Sequence, residues 1–298
     1  MPRTGIVITA FDQGAMVQEA VDSALAQTLR PDRVIVVDDG STDPGSLEVL
    51  ETLAASPTGV GRPPVEVIRQ PNLGVSAARN RGLAACGDCA FVTVLDGDDR
   101  LAPEFLRRTV HALIADPTAV GASSSMRMFG VAHAVVTPAG GDVSAFLARN
   151  ACPATLTLRR EAWARTGGYA EDMRSGFEDW DFFLTVLSGG GRLAVLPEPL
   201  IEYRTAPDSA NVVSMDHRAD LVASLMDRHP DLYTAEVRAR VTAQDAAATA
   251  RLRDWERAAL ADPAIPLDEA SFGDGGMAAV VRVASARAGS HEGAPLPD

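Results

Sequence analysis

The first hundred residues alternate between short apolar runs rich in β-branched residues and segments with apolar side chains at helical spacing. Strands are predicted at 5–10, 33–37, 65–69 and 90–95, and helices at 14–27, 44–55, 75–85 and 103–115. Because these strands are apolar on both faces, they indicate a parallel sheet that is covered by helices on both sides. The pattern therefore predicts an α/β fold.

The pattern becomes less regular after residue 116. Strands are predicted at 120–129, 154–158, 192–196 and 200–203, and helices at 160–166 and 179–187. We expect this second half to extend the same sheet, so that residues 1–215 form one domain with a mixed, mainly parallel sheet.

The composition changes beyond about residue 215. Residues 216–228 and 234–260 are predicted to be helical, which gives a C-terminal helical extension over 216–262. These helices are expected either to pack on the domain or to pair with a second copy in a homodimer. Residues 263–298 are rich in Gly, Pro, Ala and Ser and are predicted to be a flexible tail, with one candidate short element at 277–286.

Charge and composition exclude several classes of protein. The net charge is −13, which disfavours nucleic acid and anionic lipid as partners. All 27 residues counted as Lys or Arg are Arg, so a Walker A lysine and a pyridoxal-phosphate lysine are excluded. No apolar run reaches the roughly 18 residues of a membrane span, and the N-terminus is a poor signal peptide. A cytoplasmic protein without an integral membrane span is expected.

Cys86 and Cys89 have the spacing of a zinc or redox motif. A structural zinc site needs four ligands, and neither a second cysteine pair nor a nearby histidine cluster is present. A redox motif would follow a strand and open a helix, whereas this pair precedes a predicted strand. The sequence therefore favours a turn that contains two thiols.

Acidic clusters follow two of the predicted strands directly. Asp38 and Asp39 come after the second strand, and Asp96, Asp98 and Asp99 come after the fourth. Ligands of open parallel sheets bind outside the carboxyl ends of strands, so both clusters are expected to face one crevice. Crowded carboxylates need a cation or hydrogen-bond donors, and their oxygens suit Mg²⁺ or Mn²⁺. Turn formation alone is the simpler interpretation of either cluster taken singly.

Two further segments carry polar side chains in distinctive surroundings. Residues 72–82 form a glycine turn that leads into a helix with Arg79 and Asn80, which alone is a weak signal. Glu178 and Asp179 lie among aromatic residues, where desolvation would raise a carboxyl pKa and favour a general base. A helix N-terminus, which also favours acidic residues, is compatible with that role.

Together these segments resemble the GT-A fold of family 2 glycosyltransferases over about residues 4–204. The matching segments are Thr9-Ala10-Phe11, Asp38-Asp39-Gly40-Ser41, the run from Asn72 to Asn80, Asp96-Gly97-Asp98-Asp99, and Glu178-Asp179. The resemblance implies a Rossmann-like nucleotide-diphospho-sugar transferase. It also implies a nucleotide-sugar donor, commonly a UDP-sugar, and inversion at the anomeric carbon.

The resemblance assigns a donor-binding role to several residues. Thr9, Ala10 and Phe11 match the segment that contacts the base, with Phe11 stacking on the ring. Asp39 matches the acid that accepts a hydrogen bond from the base, and Asp38 lies beside it. Arg79 is on the helix that borders the nucleotide.

The resemblance also implies the metal and catalytic residues. Asp96 and Asp98 match the DxD motif, with Asp98 expected to bind Mg²⁺ or Mn²⁺, Asp99 as its alternative, and Asp96 nearer the ribose or sugar. Asp179 matches the catalytic base, and Glu178 is next to it. In that role Asp179 would take the proton of the attacking acceptor hydroxyl.

One departure from the family pattern concerns the diphosphate. Family members often carry Tyr-Arg-x-His near the end of the domain, whereas Tyr203 and Arg204 are followed here by Thr205 and Ala206. Arg204 or His217 is the candidate replacement for the missing histidine. Trp163 and Trp180 are candidates for shaping the acceptor pocket, although a buried Trp is more often part of the core.

Two alternatives remain open at this point. A sugar nucleotidyltransferase would need a basic Gly-rich N-terminal loop, which the sequence from Thr9 to Gly14 lacks. A catalytically silent nucleotide-sugar-binding or scaffold protein of the same fold is the stronger alternative. The sequence does not identify the acceptor, which is expected to be a small molecule, a glycan or a peptide.

Overall fold

The computed structural model describes residues 2–55 and 63–292 of the chain. Within these ranges, strands form a single nine-stranded sheet. The strands are Thr4–Ala10 (β1), Arg33–Asp38 (β2), Val65–Arg69 (β3), Phe91–Asp96 (β4), Arg100–Leu101 (β5), Ala119–Gly130 (β6), Val135–Val136 (β7), Leu156–Arg159 (β8) and Arg192–Thr205 (β9). The order across the sheet is β3-β2-β1-β4-β8-β6-β9-β5, and β7 pairs with β6.

Helices cover the sheet and form the C-terminal part of the chain. They are Ala15–Leu25 (α1), Pro44–Ala54 (α2), Val75–Ala85 (α3), Phe105–Ala115 (α4), Arg160–Thr166 (α5), Glu178–Ser188 (α6), Ala210–Ser214 (α7), Arg218–Arg228 (α8), Ala235–Ala261 (α9) and Gly276–Glu292 (α10). In the described part of the chain, none of them has both the length and the apolar character that a membrane crossing requires.

The first four strands are parallel and bring the predicted motifs to one edge of the sheet. β1 pairs in parallel with β2 on one side and with β4 on the other. The register places Ala10 opposite Asp38, and Thr9 opposite Asp96. The expected parallel α/β half is confirmed, and its pairing places both acidic clusters beside the end of β1.

The second half adds antiparallel pairs. β8 pairs antiparallel with β4 and β6, whereas β9 runs parallel to β6. Two short strands were expected at 192–196 and 200–203, but a single strand, β9, spans both. Pro197 and Pro199 lie within this strand. Ser124 of β6 pairs with Leu196, but the next residue, Ser125, pairs with Pro199, so the register between the two strands shifts at this point. Because proline cannot donate to the ladder, the pairing is interrupted there without ending the strand.

Alternate residues of the central strands enter two hydrophobic cores. Ile6 and Ile8 pack with residues of α1, α2, α4 and α10 on one face of the sheet. Val7 packs with residues of α3, α6 and α8 on the other face. This double burial is the reason that the strands are apolar throughout.

The C-terminal helices pack on the domain. α8 contributes Val222, Leu225 and Met226 to the second core, and α9 contributes Val241. This is one of the two arrangements expected for the extension over 216–262, and a homodimer through these helices stays a prediction.

The structure differs from the expected flexible tail. Residues 276–292 form α10, and its residues Met277–Val281 and Val283 are buried. The sequence signal was weak because this helix is rich in Ala and Gly, and its burial depends on partners distant in the chain, among them Val212 and Trp255. Residues 293–298 of the expected tail lie outside the described residues.

The burial of α10 predicts that Val281→Ala destabilises the protein. The substitution removes two methyl groups from a side chain that is 2% exposed. The expected loss in the free energy of unfolding is about 2 kcal/mol, which includes the cavity left behind. Val213→Ala is the matched control, because Val213 is 52% exposed. Equal urea unfolding curves for the two variants would contradict the packed position of α10.

Candidate active site

The site begins where β1 meets β4. The Thr9 hydroxyl donates to Asp96 Oδ1 at 3.2 Å, so the two strand ends are joined by their side chains. Just beyond β1, Phe11 has 45% of its surface exposed, which is unusual for a large apolar residue. Ala10 is buried beneath it. An exposed aromatic ring just beyond the end of a strand offers a stacking surface.

Asp12 fixes the loop after β1 to the loop after β2. Its φ is 48°, a left-handed conformation that few residues other than glycine adopt. The backbone N–H groups of Thr42 and Asp43 donate to Asp12 Oδ1 at 2.7 and 2.8 Å, and the Asp12 N–H donates to Ser41 Oγ. The strained turn therefore holds the two loops at a fixed separation.

Asp38 and Asp39 are both buried, and they differ in how many hydrogen bonds they accept. The Ser41 N–H donates to Asp38 Oδ1 at 2.9 Å. Asp39 accepts three hydrogen bonds, from the Gln70 side chain and from two backbone N–H groups in the turn before α3. A carboxylate offers about four acceptor positions, so Asp39 has little capacity left for a ligand.

The carboxylates that follow β4 have unequal surroundings. Burial, and then the charge of Asp96, raise the pKa of Asp98 to about 6. Burial, and then the charges of Asp98 and Asp96, raise the pKa of Asp99 well above its ordinary value. The backbone N–H of Arg204 donates to Asp99 Oδ1 at 2.8 Å, which ties this loop to β9.

A buried arginine connects this loop to α6. Arg79, which is 2% exposed, donates to Asp96 Oδ1 at 2.8 Å and to Glu178 Oε1 at 2.7 Å. Burial lowers the pKa of Arg79, but the charges of the two carboxylates outweigh that effect and hold the pKa well above its ordinary value. Arg79 therefore brings together two motifs that are 82 residues apart in the chain, Asp96 and Glu178.

Asp179 is next to this ion pair and is held in place by Asn150. The Asn150 amide donates to Asp179 Oδ2 at 2.8 Å, and the Trp180 N–H donates to Asp179 Oδ1 at 2.7 Å. Burial, and then the charge of Glu178, raise the pKa of Asp179 to about 7. α6 begins at Glu178 after Phe177, whose φ of 64° is again left-handed. A carboxyl group with this pKa can take and release a proton near neutral pH.

These side chains open onto one cavity of about 210 Å³. Its lining includes Arg79, Asp96, Asp99, Glu178 and Asp179, and it also includes residues from α7, α8 and the segment before α10. Neither Phe11 nor Asp39 lines it. The cavity therefore lies beyond Asp96, away from the proposed stacking surface.

Several residues of the site were not identified from the sequence. Asn150 orients Asp179, and Arg218 lines the cavity with its guanidinium 5.6 Å from the Phe177 ring centre. Residues 271–277, here called the C-terminal strap, contribute Phe272, Gly273, Gly275 and Met277 to the lining. Nothing in the local sequence around these residues distinguishes them from ordinary loop and helix residues.

The candidate replacements for the missing histidine are not aimed at the site. Arg204 donates to the Asp98 carbonyl at 2.9 Å and to Glu19 at 2.6 Å, so its side chain supports the loop. His217 is exposed on the short helical turn before α8.

Of the two tryptophans expected near the acceptor pocket, Trp180 lines the cavity but is buried, and its ring N–H donates to the Phe146 carbonyl. Trp163 instead donates to Asn80.

The cysteine pair has no ligand geometry. Cys86, Cys89 and Cys152 are free and buried, and the first two follow α3 in a turn. Among the described residues, no group of three or more His, Cys, Asp or Glu side chains is arranged to hold a metal ion. Any metal at Asp96 and Asp98 would thus take further ligands from a substrate and from water, as Mg²⁺ commonly does.

The central position of Arg79 predicts a large loss of stability in Arg79→Ala. The variant would leave Asp96 and Glu178 close together without their shared cation, and we expect a loss of about 3 kcal/mol in the free energy of unfolding at pH 7. Arg257→Ala is the control, because the Arg257 side chain is 79% exposed, and it should change stability by less than about 0.5 kcal/mol. Urea unfolding that shows a loss below about 1 kcal/mol for Arg79→Ala would contradict the role assigned to the ion pair.

Comparisons with known proteins show what this chain is similar to. Residues 5–131 match the family model described as glycosyl transferase family 2. The succinoglycan biosynthesis protein ExoO of Rhizobium meliloti is 28% identical over 244 residues, which cover 75% of this chain and 67% of that protein. Chondroitin synthase of Pasteurella multocida is 27% identical over 197 residues, 64% of this chain but 19% of the synthase.

Solved structures show the same fold. S. aureus TarS 1–349 in complex with UDP-GlcNAc superposes with a TM-score of 0.55 at 17% identity, covering 76% of this chain and 72% of that one. The expected fold class is confirmed by this likeness. Residues 5–131 therefore carry a glycosyltransferase family 2 domain, and the chain has a GT-A fold.

Proposed function

We propose that the protein transfers a sugar from a nucleotide-diphosphate donor to an acceptor hydroxyl, with inversion at the anomeric carbon and Asp179 as the general base. The observation that carries the proposal is the position of Asp179, which opens onto a cavity together with Asp96 and has a pKa of about 7. The structure of TarS with UDP-GlcNAc supports a UDP-sugar as the donor class.

The donor is proposed to lie across the carboxyl ends of β1, β2 and β4. The exposed ring of Phe11 would stack on the base, with Thr9 and Ala10 beneath it and Asp38 and Asp39 beside it. Because Asp39 already accepts three hydrogen bonds, we assign it a mainly structural role and give Asp38 the direct contact. Arg79 would border the sugar through its bond to Asp96.

The donor set fits a divalent cation. Asp98 is a largely desolvated carboxylate next to Asp96, and a cation would offset both the burial and the repulsion that raise its pKa. Asp99 has one oxygen bonded to the Arg204 backbone, so we assign the metal to Asp98 with Asp96 nearby. When bound, Mg²⁺ or Mn²⁺ would stabilise the charge that develops on the leaving diphosphate.

The chain's own residues perform the transfer in one displacement. The acceptor oxygen forms a bond to C1 of the donor sugar while the bond from C1 to the β-phosphate oxygen breaks, and that electron pair leaves with the nucleoside diphosphate. The acceptor proton passes to Asp179, which Asn150 holds in orientation. Proton transfer of this kind contributes typically about 10²–10⁴-fold to the rate.

Asp179→Asn tests the proposed base. The amide has a similar shape but cannot accept the proton, so transfer should fall by at least about 10³-fold. Binding of UDP, measured by calorimetry, should remain within about twofold of the wild type because Asp179 lies beyond the nucleotide. Asp181→Asn, which alters a carboxylate bonded to Arg228 instead, serves as the control for altered charge on α6. If the protein were a catalytically silent nucleotide-sugar-binding protein, the wild type and Asp179→Asn would both bind UDP and neither would transfer a sugar.

The pKa of Asp179 also predicts the pH dependence of the reaction. The base must be ionised to accept a proton, so kcat/KM should rise about tenfold per pH unit below pH 7 and level off above it. Stability should change in the opposite sense. The folded pKa exceeds the unfolded value, so stability falls as the pH rises from about 4 to about 7, and Asp179→Asn should remove part of that slope. A pH profile in which kcat/KM does not rise and then level off near pH 7 would argue against Asp179 as the general base.

A further inference from the structure

On the basis of the proposed function, we propose that the C-terminal strap forms the acceptor-binding wall of the active site and selects an acceptor group about the size of a single ring with one apolar face. The strap lies outside the family-model match and was not expected to be ordered. It nevertheless lines the same cavity as Asp179, through Phe272 and Met277.

The position of the cavity assigns it to the acceptor side. Its lining starts at Arg79 and Asp96 and continues past Asp179 to the strap, without Phe11 or Asp39. A donor whose base lies at Phe11 and whose diphosphate lies at Asp98 would bring its sugar to the near end of this cavity. The remaining space, next to the base and under the strap, is then where an acceptor hydroxyl must enter.

The chemistry of the lining indicates what fits there. Phe177, Met215, Phe272 and Met277 give the cavity apolar sides, and Asn211 and Ser214 add hydrogen-bonding groups. An apolar ring face beside a few polar atoms is the arrangement that a sugar ring or a phenol requires. The volume of about 210 Å³ is below the ~300–1,000 Å³ of pockets for drug-sized ligands. By its volume, this space holds an acceptor of about one ring rather than one with several.

The strap is a fixed wall. Gly273 has a φ of +79°, and a Cβ there would lie 1.9 Å from the Asn150 carbonyl oxygen, so the strap rests directly on the residue that orients Asp179. The Gly273 carbonyl accepts from Arg218 at 3.1 Å, and Arg218 is itself paired with the buried Asp245.

Asp274 completes the attachment. Its Oδ1 accepts from Ser271 Oγ at 2.6 Å and from the Gly276 N–H at 3.1 Å, and its Oδ2 accepts from Arg251 at 2.9 Å. The strap is thus connected to α8, α9 and the start of α10. A wall held at this many points can discriminate acceptors by size.

Two substitutions of opposite effect test the proposal. Phe272→Ala widens the cavity, and Ala210→Phe narrows it at a residue that is exposed on α7. The full-length protein would be assayed for release of UDP from UDP-sugars, with methyl monoglycosides and the matching tetrasaccharides as acceptors. Leu260→Ala is the control, because Leu260 is 52% exposed on α9 and does not line the cavity.

The wild type should use monoglycosides and reject tetrasaccharides. Phe272→Ala should raise the KM for the monoglycoside by at least about tenfold, which corresponds to the loss of one good apolar contact, and should admit the tetrasaccharide. Ala210→Phe should lower kcat/KM for the monoglycoside by a similar factor. Both variants should keep the UDP affinity of the wild type, since the strap does not reach the base.

The outcomes separate the two proposals. Unchanged acceptor constants in both variants, or a wild type that uses only tetrasaccharides, would overturn the acceptor wall. Failure of every monoglycoside in a protein that binds UDP would also overturn it. Failure to bind any nucleotide would instead count against the proposed function.

Discussion

The site depends on one buried cation, Arg79, which is shared by two carboxylates from distant parts of the chain. Asp96 ends a central strand and Glu178 begins α6, and without the guanidinium between them the two elements would repel each other. Three further carboxyl groups, Asp98, Asp99 and Asp179, have raised pKa values because burial removes water, and no arginine forms an ion pair with any of them in the described structure. The cleft therefore holds more carboxyl groups than cations to pair with them.

This excess bears directly on how an anionic donor can bind. A nucleoside diphosphate would be repelled by Asp96 and Asp98 unless a cation came with it. Arg204, the arginine of the Tyr-Arg motif, is occupied by the Asp98 carbonyl and by Glu19 and does not supply that charge. Ala206 removes the usual histidine from this region. In the proposed function, a divalent metal would supply this positive charge.

Local signals made most of this architecture predictable. Apolar strands, glycine turns and acidic residues at strand ends are encoded within a few residues, and parallel pairing then brings Thr9, Asp38 and Asp96 together. Asn150, Arg218 and the strap could not be predicted in this way. Their roles depend on contacts between residues far apart in the chain, such as the hydrogen bond from Arg218 to the Gly273 carbonyl. The need for a glycine at position 273 becomes visible only in the folded structure, where Asn150 packs against it.

The residues that the sequence did not identify, among them Asn150 and Arg218, lie outside the family-model match, as does Asp179, which the sequence did identify. The part that matches the family model, residues 5–131, contains the proposed donor site. The proposed base and the strap lie outside it, and the chain covers only 19% of the length of the chondroitin synthase with which it aligns. A fold that keeps its donor half and varies the opposite wall can change acceptors while its chemistry stays the same.

The proposed function requires this acidic cleft to bind a nucleoside diphosphate through a divalent cation at Asp98. This binding can be measured by calorimetric titration with UDP, GDP and dTDP, each with Mn²⁺ and then with EDTA, with Asp98→Asn beside the wild type. We predict that one nucleotide, UDP, binds the wild type with Mn²⁺ and that EDTA or Asp98→Asn weakens binding by at least about tenfold, or 1.4 kcal/mol. Equal UDP binding in all three conditions would contradict the metal site, and no binding of any nucleotide would contradict the proposed function.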